Sequence, residues 1–225
     1  VALQPLSKSQ KKSLLQAAEN YAKQMNPDVL AYLEERGLDA ETVRKARLGC
    51  VSTPIAGHEW LQGRLAIPYL GPRGNVYNLR FRCLAHADCK SEGCDAKYLS
   101  LPGYPSRVYN VRAVRGTHSV LHVTEGELDC VTLGSVGLAA IGIPGVENLP
   151  AHFPRLVAGF TQVFLWADAD KAGRELIKAF TKAVPHAEAV WLPEGQDVNS
   201  LYVQGGREAL LDLLPRQVVA TADNV

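Results

Sequence analysis

No apolar run in the 225 residues reaches the roughly 18 that a membrane-spanning helix needs. The opening stretch, VALQPLSKSQKK, has neither the apolar segment nor the small-residue cleavage site of a secretory signal. The five cysteines (Cys50, Cys83, Cys89, Cys94 and Cys130) are odd in number, which argues against a disulfide framework. Internal repeats and low-complexity segments are also missing. These absences exclude membrane-spanning, secreted disulfide-rich and repeat classes, and they leave a soluble cytoplasmic protein as the expectation.

Apolar residues make up 47% of the chain and charged residues 21%, enough for a packed core and too apolar for wholesale disorder. Net charge is only +1, but it is unevenly spread. Residues 64–115 hold nine Lys/Arg against three acids, about +6, whereas from Glu125 onward thirteen acids face seven bases, about −6. One basic and one acidic region suit a protein that grips a polyanion with one lobe and metal ions with the other. Two solvated surfaces of opposite sign explain the charge equally well.

The pattern of elements changes along the chain. Residues 7–25 carry Leu14, Leu15, Ala18, Tyr21, Ala22 and Met25 at helical spacing. Asn26-Pro27-Asp28 ends that helix and opens a second, which closes at Gly37. Asp39 caps a third, predicted to run to Gly49. RLAIPYL and NVYNLRFRCL then read as a β-hairpin turned by GPRG, while KYLSLPGYPSRVYNV, punctuated by Pro and Gly, reads as loop. From about residue 118 strands and helices alternate: SVLHVTEG, ELDCVTLGSVG, LAAIGIPG, TQVFLWADAD, AGRELIKAFTKAV, AEAVWLPEG and GREALLDLLP. Such alternation predicts an α/β fold with a parallel sheet flanked by helices, preceded by a smaller basic α+β lobe.

Ligands of an open parallel sheet bind at the carboxyl ends of its strands. Here three predicted strand ends carry acids: Glu125 after SVLHVT, Asp168 and Asp170 after VFLWA, and Asp197 after AVWLPEGQ. Clustered carboxylates repel one another unless a cation sits among them, and hard oxygen ligands select Mg²⁺ or Mn²⁺. Each acid could instead serve only as the N-cap of the next helix. Gly126 and Gly173 beside the acids permit close backbone approach.

TEGELD, WADADKAG and EGQDVNSL together resemble the toprim domain of primases and topoisomerases, over roughly residues 118–205. The resemblance places the family's glutamate on Glu125, its Asp-x-Asp pair on Asp168 and Asp170, and its later acidic pair on Asp197 and Asn199, where the second acid has become an amide. Upstream, LAYLEERGLDAETVRKARLG, GRLAIPYLGPRGNVYNLRFR and KYLSLPG are similar to the segments that open the catalytic core of DnaG-like DNA primases. The likeness spans about residues 28–215 and divides the chain into an N-terminal helix (1–27), a basic α+β lobe (28–117) and a toprim domain with a C-terminal helix (118–225).

This resemblance implies synthesis of RNA primers on single-stranded DNA from ribonucleoside triphosphates. Metals on Glu125, Asp168, Asp170, Asp197 and Asn199 would position the triphosphate, with Glu125, Asp168 and Asp170 as the catalytic set. Arg64, Arg80, Arg82, Lys97 and Tyr98 would meet template and nucleotide. The family's zinc-ribbon and helicase-binding domains have no counterpart in the sequence, so the expectation is either a core that depends on a separate zinc-ribbon protein or replicative helicase, or a fragment of a longer chain. A compact core of this kind fits a bacteriophage primase acting in a bacterial cytoplasm. A toprim nuclease and a non-catalytic nucleic-acid-binding toprim protein are the competing readings, and Asn199 is the feature that favours the latter.

Cys83, His86, Cys89 and Cys94 fall within twelve residues, at a spacing that suits a structural Cys₃His zinc site. An insertion loop with incidental cysteines is the alternative. His58, His118, His122, His152 and His186 lack partner spacing, and Trp60, Trp166 and Trp191 are expected to pack rather than stack on bases.

Overall fold

A computed structural model describes residues 5–85, 89, 96–144, 149, 151–168 and 170–215. His86 and Cys94 of the expected zinc set lie outside the described residues. The described residues fall into two compact units, one ending at Pro105 and the other beginning at Ser106. No described helix is long and apolar enough to cross a membrane.

In the first unit three helices precede an antiparallel sheet. Helix α1 (Lys8–Lys23) opens with a capping box in which the Ser7 hydroxyl accepts from the Gln10 amide and the Gln10 side chain accepts from the Ser7 amide. It buries Leu14, Ala17, Ala18 and Tyr21. Helix α2 (Pro27–Glu34) starts with Asn26 as cap and Pro27 at a first-turn position, where a missing N–H costs nothing. Helix α3 (Ala40–Ala46) is capped by Asp39, as the sequence predicts.

Helix α3 stops earlier than expected, at Arg47 in the left-handed region (φ 54°). Gly49 belongs instead to strand β1 (Gly49–Cys50). A side chain there would meet the Tyr21 backbone of α1 at 2.4 Å, so the glycine serves close helix–strand packing and not a helix end.

Strands β2 (Leu65–Leu70) and β3 (Val76–Arg82) form the predicted hairpin, with Gly74 at φ 74° closing its turn. Pro68 sits where β2 has outrun β1 and needs no donor on that side. Residues 98–100, expected as loop, form strand β4 (Tyr98–Ser100) against β3, giving the order β1-β2-β3-β4. Three residues are too few for alternation to show. The core gathers Leu14, Tyr21, Leu61, Leu79 and Phe81. His58, with no partner spacing in the sequence, hydrogen-bonds the buried Tyr21 hydroxyl at 2.8 Å.

The second unit is the predicted parallel sheet: β5 (Val120–Thr124), β6 (Ala140–Gly142), β7 (Gln162–Ala167) and β8 (Ala187–Trp191), in the order β6-β5-β7-β8. Helices α4 (Glu127–Ser135) and α6 (Lys171–Ala183) match expected segments, the short α5 (Phe153–Val157) is not among them, and α7 (Val198–Leu211) begins eight residues before the expected GREALLDLLP and kinks at Gly206 (φ 66°). Central strands β5 and β7 are buried along almost their whole length, which is why they read as unbroken apolar runs. His122 is accepted into that interior because its Nδ1 receives the Trp166 indole N–H at 3.0 Å and its ring stacks on Phe164. From β5 the chain steps to β6 on one side and returns to β7 on the other. The crevice where strand order reverses therefore opens between the carboxyl ends of β5 and β7.

Candidate active site

That crevice is where the acids lie. A cleft of about 170 Å³ is lined by Glu125 from the end of β5, Asp168 and Asp170 from the end of β7, and Asp197 from the turn after β8, with Asp129 of α4 beside them. The Thr124 hydroxyl donates to the Gly126 carbonyl at 2.9 Å and tightens the turn that presents Glu125.

Two of the acids are also helix caps. Asp170 accepts from the Gly173 amide at 2.7 Å and opens α6. Asp197 accepts from the Ser200 amide at 2.7 Å, in a reciprocal capping box, and opens α7. Each cap engages Oδ1 and fixes the rotamer that aims the second oxygen.

Electrostatics report the crowding. The Glu125 carboxyl is pushed above its usual range by its cleft setting, then by Asp168 and Asp170. Asp168 is raised likewise, by its setting and then by Asp170 and Asp197. Opposing charge is what this set lacks, and its donors are all hard oxygens, which fits Mg²⁺ or Mn²⁺. Among the described residues, however, no group of three or more His, Cys, Asp or Glu side chains is placed so that it could hold a metal ion.

Gly173 has a steric cause as well as a capping role: a Cβ there would lie 2.0 Å from the Asp168 carbonyl oxygen. The first turn of α6 thus lies directly on the backbone that carries Asp168. Asp129, inside the quoted TEGELD but given no role from sequence, covers Gly126 and accepts from the Asn199 amide at 3.2 Å. No spacing rule marks it, since its partner is seventy residues away.

Asn199 itself is 3% exposed and is absent from the cleft lining. Its side-chain amide donates to the Thr132 hydroxyl at 3.0 Å and ties α7 to α4.

The expected nucleic-acid residues lie on the first unit. Arg80 and Arg82 project from one face of β3, and Tyr98 of β4 pairs across from Arg82. Tyr98 receives Arg80 over its ring at 4.5 Å and Arg82 at 5.3 Å, and its hydroxyl accepts from Arg82. Helix α2 extends the row, which the sequence did not foretell: Tyr32 accepts from Arg82 Nε at 3.0 Å and carries Arg36 over its ring at 4.7 Å. Lys97 is exposed. Arg64 is buried, and its guanidinium holds the Ala96 carbonyl at 2.9 Å. Cys83 and Cys89 are both buried.

The tryptophans divide. Trp166 packs at 3% exposure, but Trp191, expected to pack, is 45% exposed, because β8 is the sheet edge and the residue lies at its very end. Trp60 is exposed as well.

Residues 122–202 match the family model described as Toprim-like, a stretch containing every carboxylate of the cleft. The Gene 57 protein of Mycobacterium phage D29 is 36% identical over 155 residues, covering 67% of this chain and 97% of that protein. The DNA primase of Neisseria meningitidis is 25% identical across 89% of this chain, which spans only 40% of that primase. Among solved structures, the RNA polymerase domain of Mycobacterium tuberculosis primase DnaG in complex with double-stranded DNA superposes with a TM-score of 0.75 at 23% identity, covering 93% of this chain and 81% of that one. With a Toprim-like match over the site, the chain belongs to the family of that phage protein, and it matches DnaG-type primase catalytic cores by fold.

Proposed function

We propose that this chain synthesises short RNA primers on single-stranded DNA by metal-dependent nucleotidyl transfer. The observation that carries the reading is the convergence of Glu125, Asp168, Asp170 and Asp197 at the switch point of a primase-like fold. In the reaction the 3′-hydroxyl of one ribonucleotide bonds to the α-phosphorus of the next, and the bond to the leaving pyrophosphate breaks. Mg²⁺ or Mn²⁺, when bound by these carboxylates, supplies the positive charge that a transferring phosphate demands. Asp170 and Asp197 are held in place by their caps, and Asp168 by the packing of Gly173. Glu125 has no cap to make, and its raised proton affinity suits it to take the proton of the attacking hydroxyl.

On the first unit, Arg80, Arg82 and Lys97 would hold phosphates and Tyr98 a base or sugar. Arg64, spent on Ala96, would support them from beneath. Cys83, His86, Cys89 and Cys94 would bind structural zinc and stiffen the segment ahead of β4. Metal analysis of the reduced protein checks this, and a zinc-free result refutes it.

The deciding experiment supplies single-stranded DNA, ribonucleotides and Mg²⁺ or Mn²⁺ and looks for short RNA, with Asp168→Asn and Asp170→Asn alongside. Products lost in both variants support the proposal. Extension of an annealed primer without initiation points to a core that needs a separate zinc-ribbon or helicase partner. Template cleavage would replace the primase reading with a nuclease, and binding indifferent to both substitutions with a non-catalytic module.

A further inference from the structure

The second unit is acidic, yet its bases are not scattered. Of the seven Lys/Arg from Glu125 onward, four lie on α6: Lys171, Arg174, Lys178 and Lys182. At 100° per residue they fall within an arc of about 80°, on the side away from the buried Gly173, Leu176 and Phe180. All four are exposed, and among the described residues none takes part in an ion pair. Glu175, the single acid of α6, borders the row. The row runs about 16 Å along the helix. It begins one residue after Asp170, at the rim of the carboxylate cleft.

A second observation comes from a different strand. Trp191 pairs directly with Ala167, the residue before Asp168. Paired residues of neighbouring strands share a face, and Ala167 packs in the cluster that holds Leu176 and Phe180 of α6. The exposed indole therefore lies on the α6 side of the sheet, at the same carboxyl end as the acids. An aromatic surface next to a line of unpaired cations is the chemistry that holds single-stranded nucleic acid without reading its sequence: bases stack, and phosphates follow the charge.

We propose that Trp191 and the Lys171–Lys182 face of α6 form a track for the single-stranded DNA template beside the carboxylate cleft. The inference rests on the primase reading and deepens it. A basic row tracking phosphates would also keep a polyanion from drifting away from a cleft whose own carboxylates repel it.

The test is equilibrium binding of a labelled oligo-dT to the whole chain across a salt series, without divalent metal. A Lys171→Gln/Lys178→Gln/Lys182→Gln variant should lower the slope of log K against log salt by about 2, near 0.7 per phosphate contact on a single strand. Trp191→Ala should weaken binding about tenfold at fixed salt and leave the slope unchanged, with Trp191→Phe restoring most of the loss. A Lys8→Gln/Lys11→Gln/Lys12→Gln variant on α1 makes the same charge change on exposed lysines of the other unit and should leave the slope near wild type. Equal slopes for the α6 and α1 variants, or an α6 variant that binds like wild type, would overturn the proposal. An oligo-U bound as tightly, with the same dependence on α6, would overturn the assignment to template DNA. Because binding is read without metal or turnover, failed primer synthesis with an intact α6 effect would count against the primase reading alone.

Discussion

Replacing Gly173 with alanine reverses the usual sign of a helical glycine-to-alanine change. In the interior of a helix alanine is favoured over glycine by about 1 kcal/mol, because glycine loses more backbone freedom. At Gly173, however, the new methyl would stand 2.0 Å from the Asp168 carbonyl oxygen and 3.0 Å from its carbon, and the nearest atom is backbone that cannot swing aside. Relief requires α6 or the end of β7 to move by more than an ångström, a form of overpacking that costs about 1–3 kcal/mol. It also pulls the Gly173 amide from Asp170, whose cap contributes about 1 kcal/mol. The net loss is about 1–3 kcal/mol, a fall in Tm of about 2–12 °C for a chain of this size. Gly134 supplies the control: it lies in α4, exposed, with nothing within 4 Å of an added methyl. Gly134→Ala should raise Tm or leave it unchanged while Gly173→Ala lowers it, in parallel thermal melts followed by circular dichroism. The stabilisation conferred by Mg²⁺ should shrink for Gly173→Ala alone. If Gly173→Ala melts at or above wild type, the close approach of α6 to Asp168 is not what demands the glycine.

Other substitutions probe the same neighbourhood. Asn199→Asp should destabilise the protein by about 1–3 kcal/mol at neutral pH in a denaturant titration, because the Thr132 hydroxyl already donates to Leu128 and has no hydrogen left for a carboxylate. Recovered stability as the pH falls into the carboxylate range would accompany it; tighter Mg²⁺ binding with no loss of stability would contradict the account. Glu125 and Asp168 have raised folded-state pKa values, so their contribution to stability is greatest below the ordinary carboxylate range and is lost as pH rises through the raised values. Asp168→Asn should therefore raise the Tm of metal-free protein at pH 7 by about 1–3 °C, since screened repulsion at solvent-reached sites is worth less than about 1 kcal/mol. His122, pushed down to about 3 by burial, works in the opposite direction: its neutral form is stabilising above pH 6.5, and that stability drains as the pH falls toward its folded value. His122→Gln should remove up to about 1.4 kcal/mol per pH unit from the acid-side slope of stability, and an unchanged slope would show that His122 does not titrate on unfolding.

Much of this architecture was legible because it rests on local signals. Asn26 and Asp39 each precede a helix and each caps it, and the alternation after residue 118 yields the parallel sheet. The carboxylates were readable because a parallel sheet forces its strand ends to one side. What escaped the sequence depends on distant partners or on position within a sheet. Gly49 mimics a helix terminator until α1 is seen against it, and β4 is too short to show a period. Trp191 has the composition of a buried strand residue, but edge position decides its exposure. Tyr32 and Arg36 join Arg82 across fifty residues of chain, and Asp129 meets Asn199 across seventy.

Cap and ligand, which looked like rival explanations of the acids, are compatible in this fold. Asp170 and Asp197 each direct one oxygen to a helix amide, and the constraint that stabilises the helix is also what points the other oxygen. Their presence is therefore weak evidence for chemistry, because folding alone would retain them. Asn199, the departure from the family pattern, is equally weak evidence against chemistry, because its amide satisfies a buried hydroxyl that an acid could not. Glu125 differs from both. Gly126, not Glu125, occupies the cap position of α4, and no side chain caps that helix. The Glu125 carboxyl stands in the cleft against two like charges, an arrangement that costs stability and returns none to the fold. A residue that the fold would be better without is the one that favours the reading proposed above, since a divalent cation in the cleft would make that glutamate favourable.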